Sequence, residues 1–195
     1  FSRDGTSNFG PNNPLPYSPV QSERPPLLPS KDAANFRRPY VIAEIGCNHQ
    51  GSLDIAKEMI LQCGLFCRVD AVKFQKRTVR ELLTADEYNA PHPNQGNSFG
   101  QTYGAHRDFL EFNLEQHSQL QRWAAEFGVT YSSSVWDLTA AREIASLQPA
   151  FIKIPSACNQ DFGMLGWLCE NYPGMLHLSL GMTRRDEEAR LVRFL

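Results

Sequence analysis

From Pro39 onward the chain switches five times between short apolar runs of strand length and longer stretches whose apolar side chains recur at helical spacing. A strand followed by a helix returns to lie parallel to the previous strand, so this alternation predicts successive βα units and a parallel sheet. Strand-like runs fall at 40–45, 71–74, 129–135, 151–154 and 175–179. The first reads as a strand buried on both faces. Ser52 is placed to cap a helix whose apolar positions are Leu53, Ala56, Met59, Ile60 and Cys63. Leu114, Leu120, Trp123, Ala124 and Phe127 mark the next helix, stopped at Gly128. Asp137 begins a helix running to Leu147, and 161–171 and 186–195 read as two more. The polar stretch 84–104, with Pro91, Pro93, Gly96, Gly100 and Gly104, predicts a large functional or mobile loop.

Five units of about thirty residues suit a complete doubly wound open sheet, whereas a (β/α)8 barrel typically needs about 250 residues. The strand ends argue for the barrel. Glu44, Lys73 with Gln75, Ser134, Lys153 with Ser156, and Ser179 put polar groups at the C-terminal end of every strand, and a barrel gathers all such ends around one mouth. The expectation is therefore an α/β chain of (β/α)8 TIM-barrel type, incomplete, with about five βα units over residues 39–195. Residues 1–38 hold seven of the 13 prolines and almost no hydrophobic periodicity. That composition buries too little apolar surface to offset ordering entropy, so it reads as a flexible Pro-rich extension.

Nineteen Lys and Arg nearly balance 21 Asp and Glu, for a net charge of −2. No global drive toward nucleic acid or an anionic membrane follows, and an anionic ligand must be met locally. No apolar run approaches the roughly 20 residues that span a bilayer. Five cysteines without a Cys-x-x-Cys pair indicate neither a disulfide framework nor a zinc site, and with no secretory signal they point to the cytoplasm.

The residues themselves suggest anion chemistry. Lys73 lies inside an apolar strand with Gln75 two residues on, facing the same way, and Lys153 repeats the design. A lysine there is costly unless a phosphate, a carboxylate ligand or an internal carboxylate such as Glu44 pairs with it. Ser134, Ser156 and Ser179 recur at strand ends where they can donate to anionic oxygens, while Ser132 and Ser133 suit that role or a turn equally. No nucleophile elbow and no phosphate-binding glycine loop is present. Glu44, before a turn holding Asn48 and His49, suits an acid, a base or a salt bridge. His92, His106, His117 and His177 show no metal-ligand spacing, and His117 reads as a surface position.

Four motifs, Ile42-Ala43-Glu44-Ile45-Gly46-Cys47-Asn48-His49-Gln50-Gly51-Ser52, Asp70-Ala71-Val72-Lys73-Phe74-Gln75, Phe151-Ile152-Lys153-Ile154-Pro155-Ser156 and Leu178-Ser179-Leu180-Gly181-Met182-Thr183, occur in the order seen in the N-acetylneuraminate (sialic acid) synthase family. From Pro39 to its last residue the chain resembles the N-terminal part of that family's phosphoenolpyruvate-condensing barrel. The resemblance implies condensation of phosphoenolpyruvate with N-acetylmannosamine or a related amino sugar aldehyde. The product is a nine-carbon 2-keto acid, and phosphate is released. It implies Glu44, Lys73 and Lys153 as catalytic residues, with Ser134, Ser156 and Ser179 around the phosphate and carboxylate and Gln75 near the sugar. A divalent metal, manganese or magnesium, would polarise the aldehyde, with its ligands on later strands outside this chain. A homodimer is implied for the full-length enzyme.

One departure stands out: Cys158 occupies the position where many members carry a glutamate. With unpaired strand edges and no metal ligand, these 195 residues alone are expected to be inactive and prone to aggregate. A Schiff-base aldolase using Lys153 or Lys73 and a non-catalytic phosphoenolpyruvate-binding protein are the alternative readings.

Overall fold

The computed structural model describes residues 38–195. The extension read at 1–38 lies, apart from Arg38, outside the described residues. Five parallel strands, β1 (Ile42–Gly46), β2 (Ala71–Lys76), β3 (Thr130–Val135), β4 (Phe151–Ile154) and β5 (Met175–Leu178), form one sheet in the order β1-β2-β3-β4-β5. Neighbours in space are therefore neighbours in sequence. Right-handed crossovers between consecutive strands lay every connecting helix on the same face, whereas a doubly wound sheet must reverse its strand order to cover both. This winding is the barrel type, as the strand ends suggested.

After β1 comes α1 (Leu53–Leu61), capped by the Ser52 hydroxyl, which accepts from the Ile55 N–H. It runs into a π-helical turn, Gln62–Phe66, where Gly64 faces the Phe127 carbonyl so closely that a Cβ would stand 2.4 Å away. After β2 come α2 (Val79–Leu82) and then the segment read as a large loop, which holds a short α3 (Ala85–Asn89), a 3-10 turn (Gln95–Asn97) and the start of α4 (Tyr103–Leu110). Its helices lack a long apolar stripe and are held by caps and polar pairs. Thr84 and Glu87 form a capping box, and the Tyr88 hydroxyl donates to Asp108 at 2.5 Å. Such short-range polar locking leaves little periodicity to read.

The remaining helices are α5 (Leu114–Glu126), α6 (Leu138–Ser146), α7 (Phe162–Asn171) and α8 (Arg185–Phe194). One core joins α1 and α5 to Val72, Phe74 and Tyr131, and a second joins α6 and α7 to Val135, Ile152 and Ile154. Leu147 packs against both. The outer strands are less buried than the sequence suggested: Tyr40 and Val41 precede β1 and are 58% and 41% exposed, and Met175 on β5 is 63% exposed. Among the described residues β1 and β5 each border only one other strand, so one flank of each stays open. Among the described residues no helix is long and apolar enough to cross a membrane.

His117 corrects a second expectation. It is fully buried on α5, with Nδ1 2.7 Å from the Tyr131 hydroxyl, because α5 turns that face onto β3. Burial pushes its pKa down to about 3. His49, buried and stacked on Phe112 at 4.1 Å, is pushed down to about 4, mainly by burial. Both rings stay neutral in the folded chain while an unfolded histidine protonates near its ordinary 6.5. Stability is therefore expected to be undiminished by these groups above pH 6.5 and to fall below it, by up to about 1.4 kcal/mol per pH unit for each ring. Urea denaturation from pH 7.5 to 4.5 checks this; a midpoint that holds steady or rises on acidification contradicts it.

Candidate active site

Side chains alternate across a strand, so residues paired in register share a face. Glu44 pairs with Lys73, Lys73 with Ser132, Gln75 with Ser134, Ser134 with Lys153, and Lys153 with His177. All five strands thus contribute to one polar row, on the face opposite the apolar side chains that meet the helices. Helices cover one face alone, so the other is free to carry chemistry.

Lys73 is the row's fixed point. Its ammonium is 2.6 Å from Glu44 Oε2 and donates to Ser134 Oγ at 2.8 Å. Lys73 is buried, while the Glu44 side chain is 64% exposed. The carboxylate thus holds the amine with one edge and faces solvent with the rest. Internal pairing with Glu44 therefore holds for Lys73 and fails for Lys153, whose ammonium makes no hydrogen bond or ion pair with any described residue. Burial lowers the Lys153 pKa, and the charge of Lys73 adds to this against the opposing pull of Glu44. An unpaired, half-buried cation beside a second one is primed to accept an anion.

Beyond the strand ends, the Ser156 and Ser179 hydroxyls are 2.7 Å apart. Asn159 Nδ2 donates to the Ser179 carbonyl at 2.9 Å and to Thr183 Oγ1 at 2.6 Å, tying the turn after β4 to the one after β5. Gly181 lies so close that a Cβ there would stand 2.9 Å from Ser156 Oγ. Gln75 reaches toward Gly46, whose positive φ of 58° turns the chain away and leaves room for the amide. Ser132 and Ser133 lie mid-strand and fully buried, and Ser132 donates to the Phe151 carbonyl at 2.7 Å; neither serves a turn. Cys158 donates to the Trp136 carbonyl at 3.2 Å, and burial pushes its thiol up to about 11. It is a neutral group and supplies no carboxylate.

Sequence reading passed over three features. His177, stacked on Phe151 at 4.5 Å, faces Lys153, and its two-residue offset from Ser179 was the available signal. Arg77 and Glu111 form a buried pair, with Nε to Oε1 at 2.6 Å and the Arg77 N–H to Oε2 at 2.9 Å, while Arg77 Nη2 reaches Cys47 Sγ at 2.9 Å. Burial raises the Glu111 pKa against the opposing charge of Arg77. Asp137 caps α6 and also accepts from the Thr78 N–H and hydroxyl at 2.6 and 2.8 Å. No local pattern marks pairs separated by 34 and 59 positions. Among the described residues no three His, Cys, Asp or Glu side chains converge to hold a metal ion.

The fold and the row define a barrel-type α/β protein with a cationic, hydroxyl-rich site where its strands end. The chain belongs to the NeuB family, whose model matches residues 60–195. It is 37% identical over 160 residues to the N-acetylneuraminate-9-phosphate synthase of Homo sapiens, covering 82% of this chain and 44% of that protein. It is 27% identical over 121 residues to the N,N'-diacetyllegionaminic acid synthase of Campylobacter jejuni, covering 62% of this chain and 36% of that protein. In fold it matches the crystal structure of the N-acetylneuraminic acid synthetase of Leptospira borgpetersenii with a TM-score of 0.65, at 20% identity, over 80% of this chain and 49% of that one. The chain spans less than half the length of these relatives.

The buried pair yields a test. Glu111→Ala leaves the Arg77 guanidinium buried without its carboxylate and is expected to cost about 3–5 kcal/mol, as broken buried pairs do. Glu111→Gln keeps one acceptor and is expected to cost less. Guanidinium denaturation of both variants measures the difference; losses below about 1 kcal/mol for Glu111→Ala would show the pair to be dispensable.

Proposed function

We propose that this chain forms the substrate-holding part of a phosphoenolpyruvate-dependent synthase that makes a nine-carbon 2-keto acid of the sialic acid type. The unpaired Lys153 beside Lys73, on a hydroxyl-rich row in a NeuB-family chain, carries the reading. The two lysines meet the phosphate and carboxylate of phosphoenolpyruvate, and Ser134, Ser156 and Ser179 donate to their oxygens. Gln75 lies near the amino sugar. Phosphoenolpyruvate C3 bonds to the sugar's aldehyde carbon while the aldehyde oxygen takes a proton. Water then adds at C2, with Glu44, open to solvent and held by Lys73, accepting its proton. Loss of phosphate by C–O cleavage at C2 leaves the keto acid. Fixed cations that neutralise the departing phosphate supply the main electrostatic stabilisation.

Joining the three carbons of phosphoenolpyruvate to carbon 1 of a six-carbon sugar makes carbon 6 of the sugar carbon 9 of the acid. The human relative is named for a 9-phosphate, which supports N-acetylmannosamine 6-phosphate over the free sugar as acceptor. The residues described do not by themselves fit a divalent ion; we place the manganese or magnesium site outside this chain. All five cysteines are free, which supports a reducing, cytoplasmic setting. A homodimer is the proposed working form of the full-length enzyme.

Phosphate release by the full-length protein, with phosphoenolpyruvate and either sugar, with and without EDTA and added manganese, tests the reading. Release is expected to need both substrates, and Lys73→Met and Lys153→Met are each expected to lower kcat at least about a hundredfold. Phosphate release indifferent to the sugar, or full activity in both variants, sinks it. A borohydride-trapped pyruvate adduct on Lys153 without phosphate release would instead favour the Schiff-base aldolase, the reading that the depressed amine pKa also suits.

A further inference from the structure

A cavity of about 250 Å³ opens beside the polar row. Its wall includes Arg77 just past β2, Trp136 just past β3, and Ala157 and Cys158 just past β4, with Leu83 and Arg107 from the helical segment between β2 and α5. Trp136 is two residues beyond Ser134 and Ala157 adjoins Ser156, so the cavity is lined by the chain that leaves the strand ends carrying the proposed substrate site.

The two arginines differ in what holds them. Arg77 is neutralised by Glu111. Arg107 bonds through Nε and Nη2 to the Tyr103 hydroxyl and has no carboxylate partner among the described residues. The acids nearest it in sequence are already engaged, Asp108 by the Tyr88 hydroxyl and Glu111 by Arg77. Both arginines act electrostatically on the Cys47 thiol and on the His106 ring, which places them in one neighbourhood. Trp136 adds a buried indole N–H with no acceptor among the described residues. A cation with no ion-pair partner among the described residues, beside a second guanidinium and largely apolar walls, favours a small dianion such as a phosphomonoester.

We propose that Arg107, with Arg77 behind it, is the specificity residue for the phosphate group of a phosphorylated amino sugar. The identity of that sugar rests on the function proposed above; the phosphate site rests on the cavity. Lys73 and Lys153 remain for phosphoenolpyruvate, so the two phosphates are held by different cations. Arg107 lies on α4, which begins where the segment read from sequence as a loop ends, and this helix is what brings its guanidinium to the cavity.

Calorimetric titration of the full-length protein with N-acetylmannosamine 6-phosphate, N-acetylmannosamine and phosphoenolpyruvate tests this, in the native protein and in Arg107→Ala and Arg107→Lys. The phosphorylated sugar is expected to bind tighter than the free sugar, and Arg107→Ala to reduce that preference about tenfold to a hundredfold. Arg107→Lys is expected to recover part of the preference as a point charge. Circular dichroism establishes that the variants are folded. Equal binding of the two sugars by the native protein, a preference unchanged in Arg107→Ala, or a loss confined to phosphoenolpyruvate would overturn the assignment. A phosphate preference that depends on Arg107, in a protein that releases no phosphate from phosphoenolpyruvate with either sugar, would uphold the site and overturn the condensation.

Discussion

The amine of Lys73 is the constraint around which this site is built. An ammonium buried in the middle of a parallel sheet is tolerable only if its charge and its donors are met. Here the neighbouring strands meet them, with Glu44 from β1 at 2.6 Å and Ser134 from β3 at 2.8 Å. This arrangement ties three strands at one level of the sheet and sets the face on which polar groups stand. It also orients Glu44, which shares its carboxylate between the amine and solvent. Lys153 has the opposite character: it stands in register with Ser134, on the same face, and no described group neutralises it. One lysine is structural and poised, the other open to a ligand.

That division depends on the winding of the chain. Because the strands succeed one another in spatial order, all the helices pack on one side and the apolar residues of alternate positions go with them. The intervening positions are relieved of packing and can be Lys, Gln, Ser and His. Loops at the strand ends then add a second layer, in which Arg77–Glu111 and Thr78–Asp137 pin the chain leaving β2 to the segments beside it. The helical insertion before α5 is part of this layer. Its order comes from side-chain caps, among them the Thr84–Glu87 capping box, and from Arg80 stacked 3.6 Å over Tyr88 rather than from a hydrophobic stripe.

How much of this was legible in the sequence depended on the range of each interaction. The strands, the capped helices at Ser52 and Asp137, and the likeness of the four motifs to one family are short-range features, written in spacing and propensity. The polar residues at the strand ends point to one mouth from their sequence positions alone. The short helical turns inside 84–104 went unread in a stretch taken as loop, because polar side-chain locking leaves no periodic trace. His117 was misread as exposed, because a lone polar residue on a helix shows its environment only once the helix is docked and Tyr131 lies beneath it.

By itself the sequence determined the alternation of strand and helix, the two lysines buried in apolar strands, and the family to which such motifs are similar. Tertiary structure decided the rest. It showed that Glu44 satisfies Lys73 and leaves Lys153 unpaired, that Arg77 is neutralised while Arg107 is not, and that a cavity joins residues from three strand ends and a helical insertion. The physical reason is that charge and burial are properties of neighbours in space. Residues dozens of positions apart acquire those neighbours only when the sheet closes up in register.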